Sequence, residues 1–131
     1  MVVASAKWTA QMHFEGRASH PVIMDADPNG GNSPMELVLI ALCGCTAFDV
    51  ASVLQKKREP FTSIQVTAEA EEAILPPRVF TDIRVVYRVG GKVSATAVER
   101  AVYLSEEKYC SVAAMLKKTA KITYRIELDQ K

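Results

Sequence analysis

Neither sign of charge prevails in this 131-residue chain, where 16 Lys and Arg stand against 15 Asp and Glu for a formal net charge of +1. That balance gives no electrostatic reason to expect a nucleic acid or an acidic membrane surface as partner. Cysteine is scarce and odd in number, at three. An odd count is a poor basis for a disulfide scaffold and points to a reducing compartment, expected to be cytoplasmic. The first residues alternate and lack an apolar h-region, so no signal peptide is expected. Histidine is limited to His13 and His20, for which the sequence offers no partner and solvated strand or turn positions are expected. Internal repeats, low-complexity runs and linkers are absent, and residues 1–131 are expected to form a single domain with a sizeable core.

What the chain does have is one long apolar stretch, Ser33 to Lys57. Ser33 can cap a helix, Pro34 suits its first position, and Glu36 completes a capping box. From Leu37 to Leu54 Asp49 is the only charge, so the helix has no polar face and must be covered on most sides. Through Lys56 it would be roughly 35 Å long. Its apolar run is borderline for a bilayer. Gly44, Thr46, Asp49 and Ser52, with strand-like flanks, favour a soluble core helix, part of whose cover would come from a second subunit. A basic run, Lys56-Lys57-Arg58, and then Pro60 end it.

The flanking segments alternate. Trp8, Ala10, Met12 and Phe14 share a face, predicting a half-buried strand within residues 2–14, and Glu15-Gly16-Arg17 is expected to turn. HPVIMD can return as a short strand, starting late or lying at an edge because of Pro21. DADPNGGNS is a loop. After the helix, one strand places Ile64, Val66, Ala68 and Ala70 inward, and Leu75-Pro76-Pro77-Arg78 turns the chain. The next strand places Val79, Ile83, Val85, Tyr87 and Val89 inward, and Gly90-Gly91 closes it. Ser94 caps a helix with Ala97, Val98, Ala101, Val102 and Leu104 on its apolar side. Ser105-Glu106-Glu107 reads as a second cap before a helix holding Cys110, Ala113, Ala114 and Leu116. Ile122, Tyr124, Ile126 and Leu128 mark a final strand. The expected fold class is α+β, in the order ββ-α-ββ-α-α-β, with a mainly antiparallel sheet packed on the long central helix.

The cysteines carry the chemistry to be explained. Cys43 and Cys45 stand about 200° apart around a helix axis, so Cys-Gly-Cys cannot form a disulfide or chelate a metal while the helix persists. Cys43 reads as core filling. Gly44 leaves room for close approach of a backbone or a substrate. Cys110 falls at a predicted helix start, where N–H groups and the dipole favour thiolate. From residues alone, Cys45 and Cys110 are either core cysteines or a redox pair.

Ser33-Pro34-Met35-Glu36-Leu37, with Cys45 eleven residues after the proline, resembles the central-helix signature of the OsmC/Ohr family, the osmotically inducible and organic hydroperoxide resistance proteins. Glu107-Lys108-Tyr109-Cys110-Ser111-Val112 resembles the family's second cysteine motif, 65 residues after Cys45. The resemblance covers nearly the whole chain. It implies an intertwined homodimer and a thiol peroxidase with no metal or other cofactor. Cys45 is then the peroxidatic thiolate that attacks an organic hydroperoxide, Cys110 the resolving thiol, and an external dithiol such as a lipoyl protein the reductant.

Family peroxidases place a Glu directly after the motif proline and pair it with an Arg. Here that place is Met35, and the candidates for the pair are Glu36, whose capping-box role already accounts for it, and Arg17, the only arginine before Cys45. Asp49, four residues after Cys45, would raise the thiol pKa unless a cation neutralises it. Its expected roles are an ion pair with a basic residue of a partner subunit or a substitute carboxylate. Phe48 and Tyr109 are candidate walls of a cleft suited to an apolar peroxide. Two functions follow from these residues. One is a thiol peroxidase for organic hydroperoxides in stress defence; the other is a dimeric small-ligand-binding or thiol-sensing protein with little turnover.

Overall fold

A computed structural model describes residues 1–129, which divide into two compact units, residues 1–40 and residues 41–129, and the long helix begins in the first and ends in the second.

The first unit holds a three-stranded antiparallel meander: β1 (Ser5–Ala10), β2 (His13–Arg17) and β3 (Pro21–Asp25), with β2 in the middle. The single strand expected within residues 2–14 is therefore two. The chain reverses at Gln11 and Met12, where Gln11 takes φ 48 and its carbonyl accepts a bond from the Trp8 indole at 2.7 Å. A two-residue turn keeps the parity of alternation, so Trp8, Ala10, Met12 and Phe14 look like one continuous strand in sequence. Glu15-Gly16-Arg17, expected as a turn, is β-paired on both sides. Pro21 opens β3, which is an edge strand, as a residue lacking an N–H requires.

The helix, α1, spans Pro34–Lys56. Its start follows from the capping box: the Glu36 carboxylate accepts from Ser33 N–H at 2.8 Å and Ser33 Oγ accepts from Glu36 N–H at 3.2 Å. Its end is a Schellman-type closure. Glu59 N–H bonds to the Leu54 carbonyl and Arg58 N–H to that of Gln55, with Arg58 left-handed at φ 56. Leu42, Thr46, Val50 and Leu54 recur every fourth residue and are buried, whereas Ile40 and Phe48 are 53% and 81% exposed. By length and composition α1 could cross a membrane, but the same features mark the core helix of a soluble fold.

The second unit contains β4 (Phe61–Glu72), β5 (Phe80–Gly91) and β6 (Lys121–Asp129), with β5 central, antiparallel to β4 and parallel to β6. A parallel pair requires a crossover. Here it is α2 (Ala95–Leu104), a π-helical turn (Ser105–Tyr109) and α3 (Ser111–Leu116). Ile83, Val85, Tyr87 and Val89 of β5, with Ala97, Val98, Ala101 and Val102 of α2, form the buried core. Phe80 rather than Val79 begins the inward face; Val79 precedes the strand and is exposed. Gly91, at φ 108, lies so near the Pro60 carbonyl that a Cβ would sit 2.6 Å from it. Ser94 caps α2 by accepting from Ala97 N–H.

Among the described residues, helices, two three-stranded sheets and three antiparallel pairings out of four make the fold class α+β as expected, in the order βββ-α-ββ-α-α-β where ββ-α-ββ-α-α-β was expected.

Candidate functional site

Three side chains from two distant stretches of sequence meet in the second unit. Cys45 and Asp49 are one turn apart on α1, and Cys110 is the N-cap of α3. A sulfur from each cysteine and a carboxylate oxygen of Asp49 all lie within 4.8 Å of one another. Cys110 is buried; Cys45 and Asp49 are half-buried.

The local sequence explains each placement. On α1, Thr46 is buried, turning Cys45 and Asp49 to the flank of the buried stripe. Thr46 satisfies its hydroxyl within the helix, donating to the carbonyls of Leu42 and Cys43 at 3.1 Å each. Cys110 follows the π-helical turn, where the backbone leaves helical geometry. Its sulfur accepts a bond from Ala113 N–H at 3.3 Å, the arrangement expected to favour thiolate. Burial outweighs it. Desolvation first, then the Cys45 sulfur, push the Cys110 thiol up to about 12, with Asp49 adding to the effect. Cys110 therefore keeps its proton at neutral pH. Burial likewise raises Cys43, which lies elsewhere around the helix.

Within its own chain Asp49 has a hydroxyl partner. Ser105 Oγ donates to Asp49 Oδ2 at 2.9 Å, tying the π-helical turn to α1. Ser105 is thus buried as a strut between elements, where a second helix cap was expected. Next to it is a residue the sequence reading missed. Glu106 is buried and accepts a hydrogen bond from the Tyr87 hydroxyl, while its backbone carbonyl accepts from Lys117 Nζ. Burial and this carboxylate raise the Tyr87 pKa, and the phenol stays protonated. The signal was spacing: Val98, Val102, Glu106 and Cys110 recur every fourth residue, which puts Glu106 on the buried line of the helical region.

A groove of about 540 Å³ opens beside Asp49, lined also by Val53, Lys56, Lys57, Leu104 and Tyr109. Of the two residues expected to wall a cleft at Cys45, Tyr109 lines this groove. Phe48 does not: it points outward from α1.

The remaining sequence candidates do other things. Glu36 is committed to the capping box. Arg17 lies at the end of β2 and makes no side-chain hydrogen bond or ion pair among the described residues. His13, expected to be solvated and unpartnered, is paired through Nδ1 with Asp25 Oδ2 at 2.8 Å. With the Asp27 N–H foremost and the imidazole second, these partners hold the Asp25 carboxyl below its ordinary range. Asp25 also borders an apolar cavity of about 380 Å³ within the first unit, lined by Met12, Phe14 and Met24.

Comparison with known proteins agrees with this architecture. A family model described as OsmC-like protein matches residues 27–125. The chain is 43% identical over 131 residues to Protein YhfA of Escherichia coli K12, covering 95% of this chain and 96% of that one. A crystal structure of a hypothetical protein from Aquifex aeolicus, 29% identical, covers 99% of this chain and 98% of its own with a TM-score of 0.87. An organic hydroperoxide resistance protein OsmC from Legionella pneumophila shares the fold at a TM-score of 0.69 and 12% identity, covering 97% and 96%. By the span of the family model and by its similarity to YhfA, this chain belongs to the OsmC-like family.

Proposed function

We propose that the protein is a cytoplasmic, dithiol-dependent peroxidase for organic hydroperoxides, working in stress defence through Cys45 and Cys110. The observation that carries this reading is the approach of two sulfurs separated by 65 residues to within 4.8 Å. Structural neighbours such as the Legionella protein bear the organic hydroperoxide resistance name and lend support.

In the proposed cycle the Cys45 thiolate attacks one oxygen of the peroxide. The O–O bond breaks, an S–O bond forms, and the alkoxide takes a proton to leave as alcohol, with Cys45 as sulfenic acid. The Cys110 sulfur then attacks the Cys45 sulfur. A disulfide forms, and the hydroxyl leaves as water with the proton from Cys110. Joining the sulfurs requires closing from at most 4.8 Å to about 2.05 Å. The π-helical turn before Cys110 is a place where such adjustment is tolerated. An external dithiol, a lipoyl protein being the expected type, reduces the disulfide and emerges as its own cyclic disulfide. Both electrons thus come from thiols, and the cycle calls for no resident cofactor.

The groove beside Asp49 ends one helical turn from Cys45 and would receive the organic part between Leu104 and Tyr109. The protein would act as a homodimer: Ile40 and Phe48 are exposed on the line through Gly44, where an added Cβ meets nothing within 4 Å. A second copy of α1 fits such a face.

The second reading, a small-ligand-binding or thiol-sensing dimer, is favoured by one observation. Glu36 is used by the helix cap and Arg17 has no side-chain partner among the described residues, so the glutamate–arginine pair of the family peroxidases has no counterpart formed from these residues. Consumption of cumene hydroperoxide with a dithiol separates the two. Turnover is expected in the wild type and only the uncatalysed rate in Cys45→Ser. Turnover that survives the substitution rejects Cys45 as the peroxidatic residue; a wild type inert with every dithiol supports the sensor.

A further inference from the structure

We propose that Cys45, Asp49 and Cys110, when reduced, form a binding site for a single zinc ion. Cys45 and Asp49 stand at i and i+4 on one helix, the spacing by which zinc-binding helices present two ligands to one ion. Cys110 supplies a third ligand from a distant element, at the N-cap of α3. Three protein donors leave the fourth corner of a tetrahedron for water, which the groove beside Asp49 can deliver.

The distances fit. Zinc–sulfur bonds of about 2.3 Å and zinc–oxygen bonds of about 2.1 Å place tetrahedral donors roughly 3.5–3.8 Å apart. The three donor atoms already lie within 4.8 Å of one another, so no pair needs to contract by more than about 1 Å. Two thiolates select a borderline-soft cation over magnesium or calcium. The Ser105 hydroxyl, bonded to Asp49 Oδ2, orients the carboxylate as outer-shell partners of zinc ligands do. On binding, each thiol releases its proton to solvent and no electrons move. Cys43 has no part in the cluster.

The consequence for the proposed peroxidase, which rests on that reading, is reversible inhibition. A Cys45 sulfur bonded to zinc has its attacking lone pair engaged, and the metal would hold the reduced thiols apart until removed. Binding itself does not depend on turnover.

The test uses the reduced full-length chain with Zn²⁺ alone, titrated against a chromophoric chelator, and with Co²⁺ as a spectroscopic substitute. The wild type should take up one equivalent of zinc and show a thiolate-to-cobalt charge-transfer band. Cys43→Ser should be unchanged. Cys45→Ser and Cys110→Ser should each lose much of the band's intensity. Ser105→Ala should weaken zinc binding roughly 10–100-fold, as loss of an outer-shell partner does. Cys45 is half-buried and Cys45→Ser nearly isosteric, so this variant stays folded even if Cys110→Ser or Ser105→Ala does not. No charge-transfer band in the reduced wild type, or full affinity and band in Cys45→Ser, would overturn the proposal. Zinc uptake without peroxide turnover would reject only the peroxidase, and turnover without zinc uptake only the metal site.

Discussion

The two sulfurs differ in what surrounds them. Cys110 is buried and keeps its proton, so it is the less reactive of the two towards peroxide. Its place in the cycle comes from lying beside Cys45, where it must give up that proton as it attacks the sulfenic acid. Removing it should stop the cycle after the first step. In Cys110→Ser, one equivalent of hydroperoxide should leave Cys45 as a sulfenic acid, read by mass spectrometry as a dimedone adduct on that cysteine. Steady turnover with dithiol should fall at least about tenfold, since no internal disulfide can form. A variant that turns over normally, or one whose adduct maps to Cys43, would show that Cys110 does not resolve Cys45. At this scale the sequence was informative about residue types and silent on partners. Cys45 and Cys110 stood out through two motifs. The bond from Ser105 to Asp49 and that from Tyr87 to Glu106 link residues 56 and 19 positions apart, and nothing local foretells them.

Elements were legible where their ends carried chemistry. Ser33, Pro34 and Glu36 mark the start of α1, and both capping-box bonds form. Ser94 caps α2 as read. The β1–β2 turn has no Gly or Pro to announce it, and periodicity passes through it undisturbed. Parallel pairing of β5 with β6 was also not legible, because alternation of side chains is the same for either direction.

The β2–β3 pair allows a test at this scale. Asp25 on β3 bonds to the backbone N–H of Asp27 and to His13 of β2, and these partners lower its pKa from 3.8. A lowered carboxyl binds fewer protons folded than unfolded near that pH, so stability rises with pH there and is lost as pH falls through the folded value. Urea unfolding of the wild type from about pH 5 downward should show this loss. Asp25→Asn should be less stable than the wild type at pH 5 and should lack that part of the acid dependence. Parallel pH profiles for the two proteins would mean that the carboxylate contributes nothing to the sheet.

For the whole molecule the open question is what covers α1. A fully exposed phenylalanine forgoes roughly 1.5–3 kcal/mol of burial, and Phe48 is 81% exposed on a helix without a polar face. If a second copy supplies the cover, light scattering should give twice the 14.4 kDa chain mass. Phe48→Glu should then shift the population towards single chains, because the substitution places a charge in the proposed contact. A wild-type monomer would refute the dimer.

By itself the sequence determined the long helix, its caps, the α+β class and the two cysteines worth watching, because capping and periodicity act between residues close along the chain. Only the tertiary structure decided that Asp49 answers to Ser105, that Glu106 is buried against Tyr87, and that Cys45, Asp49 and Cys110 form one cluster. Those outcomes depend on where a crossover of two helices and a π-helical turn returns to α1. Packing, rather than local preference, sets that position.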